Sequence, residues 1–347
     1  MALADVGPSF RFCEQILPKV SRTFALNIRF LRGQTHRAVL DAYLICRILD
    51  TVEDAPDRDA SFKAPLLREF PRFLRALPDS DSLGAWQARA LGATMTPSER
   101  ELLSHTREVL AVFHTLAPGV RDVMVGPITR MAEGMATTVE RVAGVGKPVQ
   151  LADTADLERY CYFVAGTVGE LLTGLFLAKV GSSRRREAMV RHQVAFGLGL
   201  QLTNILKDIR ADRGRAWCYI PADALAKEGL DLETFWSWKE GPKNRRALAP
   251  LLRLTADSLR RALDYTLALP PRRLRLRLFC AVPLMLAMET LALLAPGLES
   301  SRGPVKITRA QVRAVLLRAP LFCVFSPLLV RWSATRFQAI EAALEKA

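Results

Sequence analysis

Histidine is scarce, aromatic residues make up only 7% of the chain, and no two cysteines stand at CxxC spacing. Four lone histidines and six scattered cysteines (Cys13, Cys46, Cys161, Cys218, Cys280, Cys323) offer no zinc-ligand pattern. Most of these cysteines sit in apolar contexts, which reads as buried, reduced thiols in a cytoplasmic protein. The opening stretch "MALADVGPSFRFCEQILPKV" lacks a basic segment followed by an apolar one, so no secretory leader is expected. Long hydrophobic runs are missing too. The uncharged stretch "APLFCVFSPLLV" (319–330) falls well short of the ~18 residues a bilayer demands, and no spanning helix is expected. There is no repeat, no low-complexity segment and no alternating run with a hairpin turn. Sparse aromatics and dispersed arginines, "SSRRRE" and "PPRRLRLR" aside, also argue against a nucleic-acid partner.

What is present is grease and positive charge. Half of the 347 residues are hydrophobic and 24% are charged, the composition of a folded protein with a large core. The net charge of +14 fits anionic lipid, a phosphorylated substrate, or merely an arginine-rich composition. Apolar residues recur at three- and four-residue steps in "RAVLDAYLICRIL", "ELLSHTREVLAVFHTL", "GTVGELLTGLFLAKV", "QVAFGLGLQLTNILKDI" and "LFCAVPLMLAMETLALL". Breakers such as "APDRDA", "LPDSDSLG" and "LALPPRR" separate them. Helices at 194–206 and 278–294 are apolar on nearly every face and should be central. The expectation is one all-α domain over 1–347, a helical bundle around a central apolar cavity. Its core covers about 15–296, and 297–347 forms a helical C-terminal extension. Within that extension, "APLFCVFSPLLVRWSATR" reads as a core helix in preference to an interfacial anchor.

Two acidic clusters interrupt this pattern. In "LDTVEDAPD", Asp50, Glu53 and Asp54 stand at i, i+3 and i+4 and share one helical face. In "QLTNILKDIRADRGR", Asp208 and Asp212 are again four apart at the end of an apolar helix. Each cluster could be a solvated helix end, with Lys207 and Arg210 as local partners. Alternatively, the two could face each other across a pocket mouth and hold Mg²⁺, which prefers oxygen ligands and bridges to substrate phosphates. Arg22 in "SRTF" and Arg47, one turn before Asp50, add groups that match phosphate oxygens. Acids, arginines and an apolar cavity together suggest a prenyl diphosphate.

The segments "SRTFALNIRFL", "AYLICRILDTVEDAP", "GMATTVERV", "YCYFVAGTVGELLTGLF", "GLGLQLTNILKDIRADRGRAWCYIP" and "FCAVPLMLAMETL" follow one another from about position 20 to about 295. In that order they resemble the squalene/phytoene synthase family, the head-to-head prenyl diphosphate coupling enzymes. The resemblance implies an all-α isoprenoid synthase fold and a prenyltransferase working in two half-reactions. A cyclopropyl diphosphate forms first; its own diphosphate then leaves and the cation rearranges. It implies Mg²⁺ on Asp50, Glu53, Asp54, Asp208 and Asp212. Ser21, Arg22, Tyr43 and Arg47 would grip diphosphate, with Arg215 close by. Tyr160 would serve proton removal and cation stabilisation, aided by Tyr43 and Arg47; from its residues alone an ordinary core tyrosine is the favoured reading. Phe24, Gln201 and Phe279 would line the cavity, and Asn204 the polar side of the site.

Two segments are similar to the squalene-forming branch, which takes farnesyl chains and uses NADPH as reductant. These are "FCAVPLMLAMETL" and "GPVKITRAQV". In the second, Lys306 matches a contact to the nucleotide phosphate, and Asn204 is grouped with it as cofactor-binding. The next basic position of that pattern is Thr308 here, with Arg309 adjacent. A phytoene-type condensation of geranylgeranyl diphosphate, or arrest at the cyclopropyl stage, is the alternative. A monomer is expected, without nucleic acid, attached at most peripherally to the inner face of a membrane.

Overall fold

Short polar side chains start many of the helices. In the computed structural model, Ser21, Asp59, Asp79, Thr96, Asp153, Asp231 and Thr308 each accept a backbone N–H at a helix N-terminus. Thr96 with Glu99, and Thr308 with Gln311, close reciprocal capping boxes. The structure describes residues 7–143, 148–298 and 306–345, and apart from one pair of two-residue strands their regular structure is helical. The all-α expectation therefore holds.

The chain divides into two compact units, Met1–Gly144 with Gly174–Ala178, and Val145–Thr173 with Lys179–Ala347. In the first unit run α1 (Gly7–Val20), α2 (Arg22–Ile28), α3 (Gly33–Glu53), α4 (Ala60–Glu69) and α5 (Arg72–Arg75). They continue as α6 (Ser80–Ala90), α7 (Pro97–Ser104), α8 (Thr106–Thr115) and α9 (Pro118–Ala143). The single helix read over "ELLSHTREVLAVFHTL" is two, divided at His105, whose ring nitrogen bonds to the Glu101 carbonyl. At the centre of this unit lies α3, which buries residues on nearly every turn and packs against α1, α8 and α9.

The second unit opens with β1 (Val149–Gln150) and α10 (Thr154–Cys161), followed by a π-helical turn at Tyr162–Gly166 and α11 (Thr167–Leu177), whose last turn groups with the first unit. Then come α12 (Ser183–Gly214), β2 (Trp217–Cys218), α13 (Ala222–Ala226), α14 (Leu232–Ser237), α15 (Gly241–Ala268) and α16 (Leu274–Leu294). After a 3₁₀ turn at Ala295–Gly297, α17 (Arg309–Val324) and α18 (Ser326–Leu344) complete it. β1 and β2 pair in parallel, Val149 opposite Trp217.

Glycine explains how the apolar middle of α12 packs closely on more than one side. A Cβ on Gly197 would lie 2.1 Å from the Ala165 carbonyl oxygen, and one on Gly169 would lie 2.0 Å from the Gln193 carbonyl oxygen. The "GLGL" stretch is thus a seam for close backbone approach, and the π-helical turn is what it approaches. Along its other side α12 packs on α15, where Gly199 meets Leu259.

Two helical stretches, Thr154–Leu177 and Leu274–Gly297, are long and apolar enough to cross a membrane by length and composition, which corrects the expectation that none would be. A few tolerated charges made the uncharged runs look shorter than the helices are. In Leu274–Gly297, 72% of the apolar window is buried inside protein, the behaviour of a core helix.

Candidate active site

In the first unit the candidate residues gather along α2 and α3. Ser21 caps α2, accepting from the Phe24 N–H at 3.2 Å, and its side chain is also hydrogen-bonded to the Tyr43 hydroxyl. Phe24 and Tyr43 lie with ring centroids 5.3 Å apart, Phe24 being 38% exposed, so it flanks Tyr43 at the surface and does not line a closed cavity. Burial raises the Tyr43 hydroxyl above its ordinary range, against the opposing Ser21 bond and the nearby Arg47 charge. The Arg22 side chain lies outside the described residues.

One turn on, Arg47 donates to Glu99 Oε1 at 2.7 Å, while its Nε is buried with no hydrogen-bond partner among the described residues. Glu99 escaped the sequence reading because it stands 52 positions away, in the capping box of α7. Asp50, Glu53 and Asp54 follow on the same helix. Burial pushes the Asp50 carboxyl up to about 7; Arg47 opposes this and Asp54 adds to it. Burial also holds Glu53 well above the usual carboxylate range, reinforced by Asp54 and Asp50 and opposed by Lys63, whose Nζ donates to the Glu53 carbonyl at 2.6 Å. Asp54 is exposed at the helix end.

In the second unit, Gln201, Asn204, Asp208 and Asp212 descend one face of α12. Lys207 Nζ lies 3.1 Å from Asn204 Oδ1 and 3.1 Å from Asp208 Oδ2. Asp212 is buried and ion-paired with Arg215, and so Arg215 reaches phosphate only alongside that carboxylate. Arg213, just before it, donates to the Trp236 carbonyl at 2.8 Å. Ala216 ends the helix at φ 57°, a left-handed conformation that costs a non-glycine residue roughly 1–2 kcal/mol. That turn aims β2 back along α12.

Trp217 and Tyr219, two residues apart, consequently face the same way. Tyr160, from the last turn of α10, stacks on Tyr219 with centroids 5.0 Å apart, and Trp217 stacks on Tyr219 at 5.2 Å. The Tyr160 and Tyr219 hydroxyls are 3.3 Å apart. A hollow beside this ladder is lined by Asp212, Ile205, Ile209, Trp217, Tyr219 and Ile220, so an acidic residue and an aromatic wall share one apolar depression. The alternation in "AWCYIP" was the available signal for Trp217 and Tyr219, and it went unread. Phe279 on α16 is buried. Lys306 is exposed just before Thr308, which serves as the N-cap of α17.

The described residues hold no group of three or more His, Cys, Asp or Glu side chains disposed as a metal cage. Magnesium needs none, since it is commonly held by one or two carboxylates with water and substrate phosphate completing its shell. The α3 acids fit such an ion: a divalent charge would favour the ionised forms of Asp50 and Glu53 that burial opposes.

The squalene/phytoene synthase family profile matches residues 17–311. The chain belongs to the squalene/phytoene synthase family. It is 31% identical to a squalene synthase of Eremothecium gossypii over 313 residues, 89% of this chain and 68% of that protein. It is likewise 31% identical to the squalene synthase ERG9 of Candida albicans, over 88% of this chain and 66% of that one. The chain thus spans about two thirds of the length of these relatives. Among solved structures, the complex of TcSQS with the ligand BPH1237 superposes with a TM-score of 0.79 at 26% identity, covering 98% of this chain and 97% of that one.

Proposed function

We infer that the chain is a squalene synthase, a prenyltransferase that joins two farnesyl diphosphates head to head through a cyclopropyl diphosphate and reduces that intermediate to squalene with NADPH. The observation that carries this reading is the similarity to squalene synthases across about nine tenths of the chain. The side chains support it in kind. Asp50, Glu53 and Asp54 on α3, and Asp208 and Asp212 on α12, would hold Mg²⁺, which when bound supplies Lewis-acid stabilisation of the diphosphate leaving group. Ser21, Tyr43 and Arg47 offer two hydroxyls and a guanidinium to diphosphate oxygens. The unpartnered Arg47 Nε gives that residue a donor to spare beyond its bond to Glu99.

The stacked rings of Tyr160, Tyr219 and Trp217 present π faces to an allylic or cyclopropylcarbinyl cation. Ile205, Ile209 and Ile220, which line the apolar crevice beside these rings, would help to keep water from quenching it. The proton lost when the cyclopropane closes would be relayed through the paired Tyr160 and Tyr219 hydroxyls to an oxygen of the released diphosphate, since a neutral phenol cannot keep it. Lys306, Asn204 and the adjacent Arg309 would meet the phosphates of NADPH, which supplies the hydride that ends the second half-reaction.

The experiment is incubation of the purified chain with farnesyl diphosphate and Mg²⁺, with and without NADPH, and products identified by mass. Squalene with reductant, and the cyclopropyl diphosphate or derived alcohols without it, is the expected result. Phytoene from geranylgeranyl diphosphate with farnesyl diphosphate ignored would overturn the reading. Arrest at the cyclopropyl stage despite NADPH would limit it to the first half-reaction.

A further inference from the structure

The corner where α17 meets α18 is more apolar on its outside than a soluble surface requires. The stretch 319–330 carries no charge, and the expectation that it forms part of a core helix holds for one face only. Val315, Ala319, Cys323 and Leu329 are buried on that inner face. On the other, Leu317, Leu321 and Val324 fall at i, i+4 and i+7 along α17, with Leu317 81% exposed; Phe325 at the corner is 55% exposed, and Leu328 and Val330 continue onto α18. Most of the large hydrophobic side chains exposed among the described residues are concentrated on this one hairpin. Isolated exposed leucines are ordinary, but a contiguous cluster of this kind marks a contact surface.

The corner is built, not loose. Arg277 on α16 is fully buried, and its guanidinium donates to the Cys323 carbonyl at 2.7 Å, to Ser326 Oγ at 2.8 Å and to the Thr266 carbonyl at 3.3 Å. A buried arginine is tolerated only when so bonded, and here its bonds secure both sides of Phe325. The apolar tip is therefore held outward before anything binds it.

Charge selects the occupant. From Lys306 to Ile340 there is no acidic residue, while Lys306, Arg309, Arg313, Arg318, Arg331 and Arg336 are basic. Exposed Arg313, Arg318 and Arg331 border the apolar stretch. Twelve uncharged residues are too few to span a bilayer but enough to enter its interface, with arginines at headgroup depth. We propose that the α17–α18 corner is a monotopic docking site for an anionic lipid surface, Leu317, Leu321, Val324, Phe325 and Leu328 inserting while Arg313, Arg318 and Arg331 meet lipid phosphates. This stands apart from the catalytic reading and needs no turnover to test.

The full chain is sedimented with vesicles of phosphatidylglycerol and phosphatidylcholine in equal parts, and with vesicles of phosphatidylcholine alone. Binding to the anionic vesicles should be at least about tenfold tighter and should weaken with salt. The double variant Leu321→Glu with Phe325→Glu should lose about tenfold or more of that binding, with its thermal unfolding unchanged, because both side chains already face solvent. Leu317→Gln, a milder change, serves if the double variant does not fold. Arg313→Gln with Arg318→Gln should weaken binding and flatten its salt dependence. Wild-type chain left in the supernatant, or a Glu variant sedimenting like the parent, overturns the proposal. So does self-association abolished by the Glu variant with no vesicle binding, which would assign the face to a second copy.

Discussion

The acidic ends of α3 and α12 share a spacing but not an electrostatic situation. On α12, Asp208 has Lys207 beside it and Asp212 has Arg215, so each carboxylate of the pair has its own cation. On α3, the nearest arginine, Arg47, is engaged with Glu99, and burial drives Asp50 and Glu53 towards their protonated forms. On α12 the acids sit in ion pairs, whereas on α3 burial outweighs the opposing charges of Arg47 and Lys63. Identical i, i+4 motifs thus differ in what a metal must do: on α3 it acts against burial, on α12 it competes with resident cations.

The largest expected effect breaks both halves of this comparison. Asp50→Asn and Asp208→Asn should each lower kcat by roughly a thousandfold or more with the circular dichroism spectrum retained, if both ends stabilise the leaving diphosphate. Full activity in one of them would confine the metal role to the other cluster. Next comes Gly197→Ala, which places a Cβ against the Ala165 carbonyl and should cost about 3 kcal/mol in denaturant unfolding, since backbone cannot yield as a side chain does.

Asp41, also on α3, sharpens the contrast from inside the first unit. It is fully buried, neither oxygen has a hydrogen-bond partner among the described residues, and burial raises it well above the usual range, Arg37 opposing. A carboxyl whose folded pKa exceeds its unfolded one stays protonated in the fold, so stability falls as pH rises above about 4. Asp41→Asn removes that loss. Its melting temperature should gain on wild type between pH 5 and pH 8, by about 2–4 °C for each kcal/mol relieved. An unchanged difference across that range would show the carboxyl to be paired.

The smallest effect probes the resident cations. Lys207→Met should free Asp208 and lower the Mg²⁺ concentration giving half-maximal activity by about threefold, the worth of an exposed ion pair. No shift would mean that Lys207 does not compete for the site.

Much of this was readable from periodicity. The apolar steps of α3, α12 and α16 and the acidic ends of α3 and α12 are local patterns that 3.6-residue geometry turns directly into faces, whereas the tyrosine of "YCYFVAG" stood out only through the resemblance. The partners of those faces were not readable, because they come from far along the chain. Glu99 meets Arg47 across 52 positions, Tyr219 meets Tyr160 across 59, and the buried Arg277 reaches Cys323 across 46. The break at His105 was missed because apolar periodicity continues straight through it.

The amino-acid sequence by itself determined the all-α class and the candidate carboxylates, since hydrophobic period and acid spacing are properties of neighbouring residues; the family came from the resemblance of whole segments. Tertiary structure alone decided which acids are already neutralised, which rings wall the hollow beside Asp212, and which side of the α17–α18 corner is left bare. Those depend on desolvation and on contacts between distant segments, and neither quantity exists until the chain has folded.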